Sequence, residues 1–169
     1  MGFFDFFKRK KEVRRHDNGN VESVCHYIGE LQDGEFKSFD DKGNLYIHGY
    51  YKKGLEYGVW KKYYENGQLE NDEQRENGER HGKSLWYTED GILVQDSYFK
   101  DGVYQGLTSI FHENGELSYE GIYENGREKD GLWKYYHDSG KLNYEASYLN
   151  GKLEGEIKTY DEEGNLLST

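Results

Sequence analysis

The chain has no proline among its 169 residues and a single cysteine, Cys25. One thiol excludes an intrachain disulfide framework and fits a reducing, cytoplasmic compartment. No apolar run approaches the roughly 20 residues that a membrane-crossing helix needs. The stretch Met1–Lys11 does not read as a secretory leader, because its apolar part is short and its bases follow that part instead of preceding it. Only 34% of the residues are hydrophobic, a fraction that by itself points toward weak folding. Two abundances oppose that reading. Aromatics make up 17% of the chain, with 17 Tyr, 8 Phe and 3 Trp, and glycine reaches 22. Glycine at regular intervals without proline punctuates turns and is not the composition of a linker.

Charge is uneven. The formal net charge is −11, yet residues 1–15 set Lys8, Arg9, Lys10, Lys11, Arg14 and Arg15 against Asp5 and Glu12, so that this stretch is +4 and the remainder is −15. An acidic body argues against a nucleic-acid partner. It suits a basic protein partner, because complementary charge speeds encounter. It also keeps a flat sheet soluble, whatever else it does.

The glycines fall into three registered series. One is Gly34, Gly58, Gly82, Gly106, Gly131 and Gly155; a second is Gly19, Gly43, Gly67, Gly91, Gly115, Gly140 and Gly164; a third is Gly54, Gly78, Gly102, Gly126 and Gly151. The period is about 24 residues, the length of one supersecondary unit in a repeat array. Each unit reads as strand, turn, strand, turn. Asn-Gly and related pairs between short aromatic-rich runs are strong hairpin signals. The expected fold is all-β: an open, elongated antiparallel β-meander of about six tandem 24-residue β-hairpins spanning 19–169, preceded by a short helical or disordered segment, 1–18.

Period-2 alternation gives the faces. Two residues after the turn glycine comes Leu45, Leu69, Leu93, Leu117, Leu142 or Leu166; four further on stands a residue small in most units, namely Cys25, Gly49, Ser97, Gly121 and Ala146. Small residues beside Trp or Tyr on the neighbouring strand imply rings lying over gaps in the sheet. A three-residue turn with its glycine in a bulge would set Phe39, Tyr63, Tyr87, Phe111, Tyr136 and Tyr160 opposite those leucines. Trp60 and Trp133 lie on the opposite parity, so either the strand carries a bulge or both faces are aromatic. One unit departs from the pattern: Leu69–Glu76 puts Glu73 at the small position and Arg75 at the aromatic one. Such a strand is either solvated drift or a place where a partner supplies contacts.

The succession Gly131, Trp133, Tyr135–Tyr136, Gly140, Leu142, Glu145, Tyr148, Gly151 and Gly155 resembles the MORN-variant repeat, and with it the bacterial YwqK-family proteins described as antitoxin components of toxin–antitoxin systems. The resemblance covers about residues 19–168. It implies an open β-meander used as a binding or scaffolding surface.

Chemistry is hard to build on such a lattice. Equivalent positions in adjacent units are two strands apart, roughly 10 Å. His112 and His137 are therefore too far apart to share an ion with Zn–N bonds near 2.0–2.1 Å, and Asp96, Glu120 and Glu145 are too far apart to share a proton. No metal spacing, nucleophile elbow or phosphate loop is present. The sequence predicts no catalytic, metal or cofactor site. It predicts a non-enzymatic, antitoxin- or immunity-like binding protein that masks a protein partner, such as a basic toxin, with its sheet face. Candidate contacts are Trp60, Tyr64, Trp86, Trp133 and Tyr135, with Glu73 and Arg75 on the divergent strand. The alternatives are a purely structural assembly protein and a peripheral membrane scaffold. In the latter, residues 1–15 contact anionic lipid through Phe3, Phe4, Phe6, Phe7, Lys8, Lys10 and Lys11. The competing role for those phenylalanines is to cap the first strand edge.

Overall fold

Two kinds of turn alternate along the chain, and both depend on a backbone conformation that glycine adopts freely. In the first kind the glycine N–H donates to the carbonyl three residues earlier, as Gly67 does to Tyr64 at 2.9 Å, while Tyr64 N–H donates to Gln68 at 2.9 Å. Gly67 has φ +84°, so this is a three-residue loop closed by a glycine bulge. The second kind has two residues, both left-handed, such as Lys53 at φ 53° and Gly54 at φ 85°. That is the type I′ turn, whose twist matches that of the strands it joins.

The computed structural model describes residues 8–150 and 152–169. The chain divides into two compact units, 1–82 with 89–91 and 83–88 with 92–169. In the first, β1 (Arg9–Arg15), β2 (Val21–Ile28), β3 (Leu31–Phe39), β4 (Leu45–Lys52), β5 (Leu55–Tyr63) and β6 (Leu69–Glu76) pair antiparallel in sequence order. The strand β7 (Glu79–Tyr87) gives its first residues to this unit and the rest to the second. The second unit continues with β8 (Leu93–Lys100), β9 (Val103–Tyr104), β10 (Gly106–Phe111), β11 (Leu117–Glu124), β12 (Arg127–Glu128), β13 (Gly131–Tyr136), β14 (Leu142–Leu149), β15 (Lys152–Tyr160) and β16 (Leu166–Ser168). Here too sequence neighbours pair antiparallel, with the short β9 and β12 pairing only β8 and β11. Each unit is thus an open antiparallel meander with no helix among the described residues, as the sequence predicts.

One expectation is corrected. Residues 9–15 form β1, paired with β2 from Arg9↔Ile28 to Arg15↔Val21, rather than a helical or disordered leader. The turn at Gly19 closes this hairpin as the others are closed, with Gly19 N–H on His16 O at 2.9 Å. The strand escapes detection because its residues are almost all charged. Residues 1–7, which carry Phe3, Phe4, Phe6 and Phe7, lie outside the described residues.

The hairpin register matches the bulged-turn expectation. Tyr63 faces Leu69 in the first unit, and Tyr136 faces Leu142 in the second. The ladder then slips by one, between Lys62 and Tyr63 and between Tyr135 and Tyr136. The extra residue of that bulge is on the second strand, so the first strand keeps its alternation: Tyr136, which reaches Glu120 beside Lys134, lies on the face opposite Trp133, and both faces carry aromatic rings. The bulge interrupts the strand parity between each leucine and the small position that follows, so alternation cannot be counted across it.

Each unit buries side chains on one face of its sheet. The line runs through Cys25, Phe36, Gly49, Trp60 and Glu73 in the first unit, and through Ser97, Thr108, Gly121, Trp133 and Ala146 in the second. A sheet face normally buries itself against a second layer. Here the rings lie down instead. A Cβ built on Gly49 would run into the six-membered ring of Trp60, and one on Gly121 into that of Trp133. Where the next strand offers a smaller side chain, the position regains its Cβ, as in Ser97 beside Thr108.

Gly49→Ala and Gly121→Ala should therefore each destabilise the fold by about 1–3 kcal/mol through overpacking. Urea unfolding followed by tryptophan emission measures this. Trp60→Leu should cost less stability in the Gly49→Ala background than in the native one, because the smaller side chain relieves the clash.

Candidate functional site

The aromatic face is assembled by register. In the first unit Trp60 stacks on Phe36 with centroids 5.8 Å apart and takes the edge of Tyr51 at 5.1 Å; Phe36 and Tyr51 meet at 5.6 Å. In the second, Phe99, Tyr104, Tyr123, Trp133, Tyr119, Tyr135 and Tyr144 form an unbroken run of ring contacts at 4.2–5.8 Å. Trp60 Nε1–H donates to Tyr50 O at 3.1 Å and Trp133 Nε1–H to Lys129 O at 3.1 Å. Lys129 sits in the segment where the repeat carries one extra residue, so the indole satisfies a carbonyl that the irregular ladder leaves free. Burial raises the Tyr119 phenol, which also bonds Tyr123 at 2.8 Å. Burial pushes Tyr135 up to about 12, helped by the neighbouring Tyr144. On the opposite face Tyr136 also rises to about 12, through burial and its 3.0 Å bond to Glu120.

This geometry sorts the expected contact residues. Trp60 and Trp133 are 7% and 1% exposed, so their rings pack the fold and are not offered outward. Tyr135 is half-buried between Tyr119 and Tyr144. Trp86 is half-buried, with Nε1–H on Ser84 Oγ at 3.2 Å. Tyr64 is half-buried at a turn.

The divergent strand is neither solvated nor vacant. Glu73 is only 2% exposed. Its carboxylate meets Arg75 Nη2 at 2.8 Å and Arg80 Nε at 3.0 Å. Arg75 also pairs with Glu56. An ionic group thus occupies the small and aromatic positions of this unit, held on β5, β6 and β7. The expectation of a solvated strand fails because a buried carboxylate persists where cations surround it.

The opposite face is ionic and apolar by turns. In the first unit Lys37 and His48 meet Glu35 at 2.8 and 3.0 Å, Lys61 meets Asp72 at 2.6 Å, and Tyr50, Tyr57 and Val59 stand exposed. The Lys37 ammonium, with His48 behind it, holds the Glu35 carboxyl below its usual range. In the second, Lys83 meets Asp96 at 3.2 Å and Lys134 meets Glu120 at 3.6 Å, beside exposed Tyr98, Leu107, Ile122 and Leu132. These four are absent from the expected contacts, although each is adjacent in sequence to a buried core position and so falls on the other face.

Three histidines tie successive repeats together. His16, His112 and His137 donate from Nε2 to the carbonyls of Phe39, Tyr136 and Tyr160, each in the next repeat, at 3.0, 3.2 and 3.0 Å. Among the described residues no three His, Cys, Asp or Glu side chains gather to hold a metal ion. Lys10 and Arg14 project from β1, both bonded to Glu12; Lys8 and Lys11 are exposed beside them. No helix among the described residues is long and apolar enough to cross a membrane.

The MORN repeat variant matches six successive stretches, 32–53, 56–77, 80–101, 104–125, 129–150 and 153–169. The chain belongs to the MORN repeat variant family. Each matched repeat starts on the second residue of one hairpin arm or near it and ends just past the following arm. The hairpin of β1 and β2 precedes the matched MORN repeats but shares their turn and their buried small position, Cys25. MORN repeats are generally protein- or membrane-binding modules, and theirs is not an enzyme family. No curated protein matches the chain.

Glu73→Ala should cost about 3 kcal/mol in urea unfolding, because it leaves two arginines without their shared carboxylate. The tyrosines set a second expectation. Their folded pKa lies above the unfolded value of about 10, so their contribution is complete below pH ~10 and disappears as pH rises through about 12. Melting temperature should fall over that window, and Tyr135→Phe should flatten the fall.

Proposed function

We propose that the protein is a non-enzymatic binding module with an antitoxin- or immunity-like role, masking a basic protein partner with a sheet face. The observation that carries this reading is the set of large apolar side chains standing uncovered beside ion pairs on the face opposite Trp60 and Trp133. They contribute nothing to either unit's own core, and contiguous apolar surface of this kind marks interaction sites. The acidic body supplies the complementary charge for a basic partner. Among the described residues the ionic groups within reach of one another pair across or along strands, which supports a binding role over a catalytic one.

Tagged full-length protein purified from its own cells should carry one stoichiometric basic protein, released as salt rises. Co-expression should restore growth to cells that the partner harms. A chain that purifies alone, or with an acidic partner indifferent to salt, would overturn the reading.

A second reading has its own observation. Lys10 and Arg14 are 64% and 67% exposed on β1, which supports peripheral contact of residues 1–15 with anionic lipid. Sedimentation with phosphatidylserine vesicles, compared for the native chain and Lys10→Glu/Lys11→Glu, decides it. Equal amounts left in the supernatant would remove this reading.

A further inference from the structure

The apolar side chains on the outer face of the second unit form one row. Ser97, Thr108, Gly121 and Trp133 are buried on one face. Their sequence neighbours Tyr98, Leu107, Ile122 and Leu132 therefore point the other way. Leu107 pairs directly with Ile122. Tyr98 and Leu107 line one shallow hollow, where Tyr98 accepts at its carbonyl from Gln105 N–H at 2.8 Å; the ladder shifts after Glu120↔Lys134, so that Ile122 accepts from Lys129 N–H at 2.7 Å and Leu132 follows three residues later on the same face. The four are 49%, 55%, 48% and 50% exposed. They run across the strands, one per strand, on β8, β10, β11 and β13.

We infer that this row is the seat of a cationic amphipathic helix belonging to the partner, laid across the strands of the second unit. The inference rests on the protein-binding function proposed above and names the surface and the chemistry of what it takes. Three observations carry it. Strands lie about 4.8 Å apart and an α-helix rises about 5.4 Å per turn, so a helix along the row sets one residue of each turn against one strand. An extended segment would instead seek a strand edge, where backbone groups are free, and the row is on a face. Charge then selects among helices: residues 83–88 and 92–169 hold 15 Asp and Glu against 8 Lys and Arg, so bases flanking the apolar stripe are favoured and an anionic bilayer is repelled. The row presents roughly 400 Å², about half of what each side of a standard protein–protein interface provides. That area and the like charge also disfavour a second copy of the chain.

The test uses full-length protein and an 18-residue synthetic peptide with leucines along one helical face and lysines flanking them. Binding is read by fluorescence anisotropy. A peptide of the same composition with its leucines scattered around the helix is the comparison. The expected result is saturable binding of the first peptide at least tenfold tighter than the second. Leu107→Ser/Ile122→Ser should lose at least tenfold in that affinity while its urea midpoint stays near the native one. Val59→Ser, in the first unit, should bind as the native protein does. Equal binding of both peptides, unchanged binding by the double variant, or sedimentation with phosphatidylserine vesicles that depends on Leu107 and Ile122 would each overturn the inference. The probe needs no cellular partner, so its failure overturns this inference and leaves the proposed function standing. Failure of co-purification together with tight, Leu107-dependent peptide binding overturns the basic-partner reading and leaves the helix-binding row established.

Discussion

A sheet without a covering layer must bury its aromatic rings in its own surface, and that constraint organises the rest of the protein. An indole lying flat needs a neighbouring strand position with no side chain beneath it. Gly49 and Gly121 provide that space for Trp60 and Trp133. The ring then contacts tyrosines above and below along the same face, and its Nε1–H finds a backbone carbonyl. Burial is thereby achieved within single strands and their neighbours, so each hairpin depends chiefly on the next. Stability of this kind is close to additive over nearest neighbours.

The same constraint explains how one repeat can abandon aromatics. With no glycine at the small position, Glu73 stands where a ring would otherwise be seated, and two arginines close over it. The column is still filled, with charge in place of an aromatic ring. The histidines at the turns serve a related purpose. Each reaches a carbonyl in the following repeat, fastening loop to loop where no side-chain stack extends. Groups that look chemically versatile in the sequence are thus committed to continuity between repeats. On the outer face the charged side chains pair across strands, while the large apolar side chains Tyr98, Leu107, Ile122 and Leu132 stay exposed.

Much of this was legible in the residues themselves. The glycine series gave the hairpins, their period and the three-residue bulged turn, because positive φ is a property of single residues and their immediate neighbours. The pairing of Tyr63 with Leu69 followed from loop length alone. The strand Arg9–Arg15 was not legible, since seven mostly charged residues carry no alternation to count. Nor was the burial of Glu73, since a carboxylate reads as solvated until the cations around it are placed. Trp60 and Trp133 were expected as contacts because tryptophan is common at interfaces, yet their own glycine partners bury them.

What the sequence determined by itself was the repeating backbone: where the chain turns, how strands register and which positions must be small. These are local matters, settled within one 24-residue unit. The tertiary structure alone decided which aromatic rings are interior and which apolar side chains are left outward. The reason is that a bulge in each hairpin resets the alternation, and only the paired strands show on which side of the sheet Leu107 and Ile122 emerge.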